Sequence, residues 1–80
     1  MKLPRQWSGG DLVKSLGLYG YEVTRQTGSH IRLTTHLRGE HHVTVPDHKV
    51  LPPGTLRSIL RDVARHFACT PDEILSRLSD

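Results

Sequence analysis

Tyr21-Glu22-Val23-Thr24-Arg25-Gln26-Thr27-Gly28-Ser29-His30-Ile31-Arg32-Leu33-Thr34-Thr35 contains two β-rich, roughly alternating runs, 21–26 and 30–35, on either side of a glycine-containing turn. Burial sets their register. A loop of three residues, Thr27, Gly28 and Ser29, puts Val23 opposite Leu33 and Arg25 opposite Ile31. A two-residue loop at Gly28-Ser29 puts Val23 opposite Thr34 and mixes the two faces. The three-residue loop is therefore predicted, with Gly28 supplying backbone freedom that a Cβ would restrict. Glu22, Thr24, Gln26, His30, Arg32 and Thr34 then share a polar face, and His30 stands on a wet sheet surface beside an arginine.

A polar connection, Thr35-His36-Leu37-Arg38-Gly39-Glu40, leads to a third run, His41-His42-Val43-Thr44-Val45-Pro46, where Pro46 ends the ladder. His41, Val43 and Val45 take the apolar side, and His42 and Thr44 join the polar one. Neighbouring strand residues point opposite ways, so His41 and His42 do not chelate one metal together. Pairing the second and third runs sets Thr35 near His41, Arg32 near Thr44 and His30 near Pro46. His42 then lies roughly 13 Å along the strand from the level of His30, too far for a shared ligand set, and no metal site is predicted. The same register brings Asp47-His48-Lys49 up to His30, which makes His48 the second histidine of interest.

Helices flank these strands. Ser8 before Gly9-Gly10-Asp11 is a helix start with an acid in the first turn, and Leu12, Val13, Leu16 and Tyr19 follow on one face up to Gly20. Trp7 reads either as a hydrophobic staple on this helix, the favoured reading, or as a base-stacking ring. After Pro52-Pro53-Gly54, Thr55 is predicted to cap a helix whose Leu56, Ile59, Leu60, Val63, Ala64 and Phe67 recur at helical spacing. Arg57, Arg61 and Arg65 advance along its exposed side by about 40° per step. Arg61 and Arg65 read as a solvated face partly neutralised by Asp62, whereas Arg57 sits in the first turn near the His48 loop. Thr70-Pro71-Asp72-Glu73 is a capping box that starts a short last helix with Ile74, Leu75 and Leu78 on its apolar side. The order helix, three antiparallel strands, helix and terminal helix predicts an α+β architecture. Both long helices cover one sheet face and leave the other polar and open.

Composition sets the limits. Eighty residues bury only about 60% of the unfolded surface, which predicts one domain over 1–80 with its core at about 8–78. No run is long enough to cross a membrane, and Met1-Lys2-Leu3-Pro4-Arg5-Gln6-Trp7 has no apolar signal core, so a soluble, cytosolic protein with no membrane partner is predicted. A single cysteine, Cys69, argues against a disulfide scaffold and reads as a small apolar residue. Net charge is +3, and eight of the eleven basic residues are arginine, whose planar fork suits phosphate. A basic excess of this size fits nucleic-acid binding and an ordinary basic surface about equally. Six histidines in so short a chain is the less common feature.

Ser8-Gly9, Gly20-Tyr21-Glu22, Arg25-Gln26-Thr27-Gly28-Ser29-His30, Val45-Pro46-Asp47-His48 and Gly54-Thr55-Leu56-Arg57-Ser58-Ile59-Leu60 resemble, in order and spacing, the HicA-type (YcfA-like) toxins of bacterial toxin–antitoxin modules. The resemblance runs from about Ser8 to Leu78. It implies a fold like the double-stranded-RNA-binding domain, ribosome-independent cleavage of mRNA and control by a HicB-type antitoxin protein. The histidine of the family's Gly-Ser-His motif, regarded as catalytic, maps onto His30. Many members follow it with a second histidine where this chain has Ile31. The predicted register buries position 31, so the change bears on packing more than on chemistry.

The residues suit that chemistry independently. RNA can be cut by its own 2′-hydroxyl, given a base for the hydroxyl proton and an acid for the leaving oxygen. Histidine, with an ordinary pKa near 6.5, serves either role at neutral pH. His30 is the predicted base and His48 the candidate acid. Arg32 or Arg57 would offset charge on the phosphate, with Gly28, Ser29 and Lys49 completing the RNA-binding set. No cofactor or metal enters this scheme. Two alternatives stand beside it. One is a non-catalytic module that reads duplex shape through phosphates and 2′-hydroxyls, using Lys49 and the exposed helix arginines. The other is a domain that docks a protein on its polar sheet face.

Overall fold

The computed structural model describes residues 6–79. The reading of Met1-Lys2-Leu3-Pro4-Arg5 as free of a signal core thus lies outside the described residues. Ser8 caps α1 (Gly9–Leu16) as expected: its Oγ accepts from the Asp11 N–H at 2.9 Å, and the Asp11 carboxylate accepts from the Ser8 N–H at 3.1 Å. These bonds, the backbone one first, hold the Asp11 carboxyl below its ordinary pKa. After Leu16 the chain tightens into a 3-10 turn over Gly17–Tyr19, which keeps Tyr19 on the buried side. Gly20 ends it at φ +79°, where a Cβ would run into the side chains of Leu37 and Thr35. Trp7 is partly buried and packs on the core, in keeping with the staple reading.

Three strands, β1 (Glu22–Thr27), β2 (His30–Thr35) and β3 (His41–Pro46), form one antiparallel sheet in the order β1-β2-β3. The β2–β3 register is the predicted one: Thr35 pairs with His41, Arg32 with Thr44 and His30 with Pro46. The β1–β2 connection is not. The turn is the two residues Gly28 and Ser29, with Thr27 opposite His30, and a bulge between Val23 and Arg25 returns Val23 to its place opposite Leu33. Loop length and register are locked together only in an unbulged ladder, and one extra residue in β1 unlocks them. Arg25 therefore faces Arg32 instead of Ile31, and Gln26 takes the position opposite Ile31.

α1 and α2 (Pro53–His66) both pack on β3, and Ile31, Leu33, Val43 and Val45 are buried beneath them. β1 lies at the sheet edge, and every one of its residues is exposed, Val23 to 52%. α2 starts two residues before the expected Thr55 cap. Its N-cap is Pro52, and Pro53 occupies the first helical position, where a fixed φ favours the helix and the missing N–H leaves no bond unmade. Leu56, Ile59, Leu60, Val63 and Ala64 are buried as the spacing predicts, with Phe67 partly so.

Thr70 and Glu73 close the capping box of α3 (Pro71–Leu78), at 3.2 and 3.1 Å. Its Ile74, Leu75 and Leu78 are buried, so this helix completes the core by packing on α2. Fully buried Thr35 donates its hydroxyl to the Tyr19 carbonyl at 2.8 Å and accepts the Leu37 N–H at 3.2 Å, joining the 3-10 turn after α1 to the β2–β3 connection. Cys69 is a free thiol packed against the core, and burial, aided by the Glu73 carboxylate, raises its pKa. Among the described residues no helix is long and apolar enough to cross a membrane.

Candidate active site

His30 is the first residue of β2, exposed, with Thr27 on one side of it and Pro46 on the other. The turn that delivers it needs glycine: Gly28 is at φ +59°, the first of two turn residues, where hairpins favour a residue without a Cβ. Gln26 Nε2 donates to the Gly28 carbonyl at 3.3 Å. The Ser29 carbonyl accepts the Asp47 N–H at 2.6 Å, which ties the turn to the segment after β3. That segment is held from the other side by α1. The Gly9 N–H donates to the His48 carbonyl at 2.8 Å, and a Cβ on Gly9 would fall on the Pro46 carbonyl oxygen. Three stretches far apart in sequence, 8–9, 28–30 and 46–48, thus meet at one corner of the sheet. His48 and Lys49 are both exposed there.

The six histidines differ in what their rings touch. His41 joins Tyr21 Oη at 2.7 Å through Nδ1 and Asp62 at 3.2 Å through Nε2, and it stacks on His66 at 4.5 Å between ring centroids. His66 Nε2 bonds the Leu37 carbonyl at 2.8 Å. His42 lies between Thr34 Oγ1 at 2.8 Å and Glu40 at 3.0 Å, while His36 lies 3.8 Å from Glu40. His30 and His48 alone have no ring hydrogen bond or ion pair among the described residues. The Tyr21–His41–Asp62–His66 cluster leaves no mark in the sequence, because only the fold brings positions 21, 41, 62 and 66 together. Burial, and then the charge on Asp62, pushes the Tyr21 hydroxyl pKa well up. Asp62 turns to His41, where the sequence reading had it neutralising Arg61 and Arg65.

Arg32 stands two residues from His30 on the same open face, exposed. Arg57 lines a cleft between α2 and α3 with Arg61, Pro71 and Asp72, and so belongs to a different set of neighbours. Arg25 is the residue on the open face that alternation missed. The bulge puts Thr24 and Arg25 together opposite Arg32, and nothing in a strictly alternating pattern marks which residue is the extra one. The available signal was the pair Gly28-Ser29, which suits a two-residue turn.

Helices on one side of a three-stranded antiparallel sheet, with the other side polar and open, define an α+β fold like that of the double-stranded-RNA-binding domain. Over residues 9–64 the chain matches the family described as the HicA toxin of bacterial toxin–antitoxin systems, and it belongs to that family. It is thus a toxin of a toxin–antitoxin system, and family membership implies a HicB-type antitoxin as its partner. No curated protein and no solved structure matches the chain.

Proposed function

We propose that this toxin is an endoribonuclease that cleaves mRNA independently of the ribosome, with His30 as general base and without a metal. The observation that carries this reading is an exposed imidazole at the head of β2 with no ring hydrogen bond or ion pair among the described residues, while His41, His42 and His66 are held by hydrogen bonds. In the step proposed, His30 takes the proton of a 2′-hydroxyl as its oxygen attacks the adjacent phosphorus, and the bond to the 5′-oxygen of the next nucleotide breaks. His48, held at the same corner, gives that leaving oxygen a proton. Arg32 faces the charge that builds on the phosphoryl oxygens, and Gly28, Ser29 and Lys49 border the RNA. One product then ends in a 2′,3′-cyclic phosphate and the other in a free 5′-hydroxyl.

Incubating the full chain with intact mRNA, with and without EDTA, tests the reading through the product ends. Cleavage that survives EDTA, leaves cyclic phosphates and stops when the scissile nucleotide lacks its 2′-hydroxyl is the expected result. Loss of activity in EDTA, or 5′-phosphate products, would contradict the mechanism. Binding without cleavage would favour a non-catalytic RNA-binding module.

A further inference from the structure

Arg25 and Arg32 are direct cross-strand partners, so two guanidinium groups project from the open face with their Cβ atoms roughly 5 Å apart. Like charges placed this way destabilise the pairing, and an anion held between them removes that repulsion. Neither arginine has an ion pair among the described residues. The carboxylates of Asp11, Glu40, Asp62 and Glu73 are engaged by Ser8, His42, His41 and Thr70. The arrangement is also built in. Thr24, the residue at the register shift, bonds Thr34 Oγ1 at 3.0 Å and the Arg32 carbonyl at 3.4 Å, and Thr34 continues to His42 on β3. A row of hydrogen bonds across all three strands therefore pins the bulge. The two-residue turn sets Arg25 opposite Arg32, where a three-residue turn would set it opposite Ile31 on the other side of the sheet, and the bulge beyond it returns Val23 to its place opposite Leu33.

We infer that Arg25 and Arg32 form a two-arginine clamp for one backbone phosphate of an RNA strand, set opposite each other by the two-residue Gly28-Ser29 turn. This rests on the ribonuclease reading above for its ligand, and it adds a residue and a register to it. Arg32 is two positions from His30, roughly 7 Å along the strand, so the clamped phosphate lies beside the one that His30 addresses. Two planar forks converging on one phosphate make paired, charge-assisted hydrogen bonds and fix where the strand lies relative to the imidazole. Arg25 is accordingly a positioning residue, acting on the site through the register of the strand.

The test uses a fully 2′-O-methylated single-stranded oligonucleotide, which the full chain cannot cleave through a 2′-hydroxyl. Its affinity is measured against salt for the wild-type chain and for Arg25→Gln, Arg25→Lys, Arg32→Gln and Arg61→Gln, the last being a distant arginine on α2. Each contact with a phosphate adds about 0.7 to the slope of log affinity against log salt. Because both arginines hold the same phosphate, Arg25→Gln and Arg32→Gln should each lower the slope by part of that amount and the two together by about the whole of it, Arg25→Lys should keep most of it, and Arg61→Gln should leave it unchanged. An Arg25→Gln slope equal to wild type, or an equal loss in Arg61→Gln, overturns the clamp. The ribonuclease reading fails separately: it falls if unmodified RNA is left intact, or is cut equally well without His30, while the clamp stands on the slopes alone.

Discussion

Thr35 shows how a single polar side chain can serve the core. It is fully buried, and its hydroxyl satisfies the Tyr19 carbonyl and the Leu37 N–H at once. Valine has nearly the same shape but would leave both backbone groups unpaired away from water. Thr35→Val should therefore lower the unfolding free energy by about 1–3 kcal/mol in a denaturant titration. A change within error would mean that water reaches these groups. At this scale much was legible in the chain. The faces of His42, Thr44, Val43 and Val45 followed from alternation, and His30 was placed on the open side because its neighbour Ile31 had to be buried. The partners of His41 were not legible, because Tyr21 and Asp62 reach it only through the packing of α2 on β3.

Between elements, the decisive contact is the crossing of α1 over the segment that follows β3. Gly9 has no side chain there because the Pro46 carbonyl oxygen occupies the space, and its N–H holds the His48 carbonyl. Gly9→Ala should push the two segments apart, lower stability by about 1–3 kcal/mol and reduce RNA cleavage as well, since the displaced loop carries His48. Unfolding midpoints and cleavage rates measured on the same preparation check both effects, and unchanged values for both would show that the two segments are not rigidly joined.

Element boundaries were readable where two independent signals agreed. The β2–β3 register follows from Pro46 at one end and alternation along the whole run, and both caps marked by a serine or threonine with an acid three residues on are where expected. Two boundaries misled for identifiable reasons. The bulge broke the link between loop length and register in β1. Pro52-Pro53-Gly54-Thr55 offers a threonine that looks like a better cap than proline, but proline at the first helical position starts the helix earlier.

Taken whole, the molecule puts its apolar surface and an open polar face on opposite sides of one sheet. The helices share a single core with β2 and β3. The open side carries Arg25, His30, Arg32, His42 and Thr44 with no helix over them. That separation makes the central claim testable without disturbing the fold. His30 has no ring hydrogen bond or ion pair among the described residues, so replacing it should leave unfolding unaffected. The direct measurement is the mRNA cleavage rate of His30→Ala beside wild type, with denaturant unfolding of both. The account predicts superimposable unfolding curves and a rate lower by at least about 100-fold. A folded His30→Ala chain that cuts RNA within tenfold of the wild-type rate would contradict it.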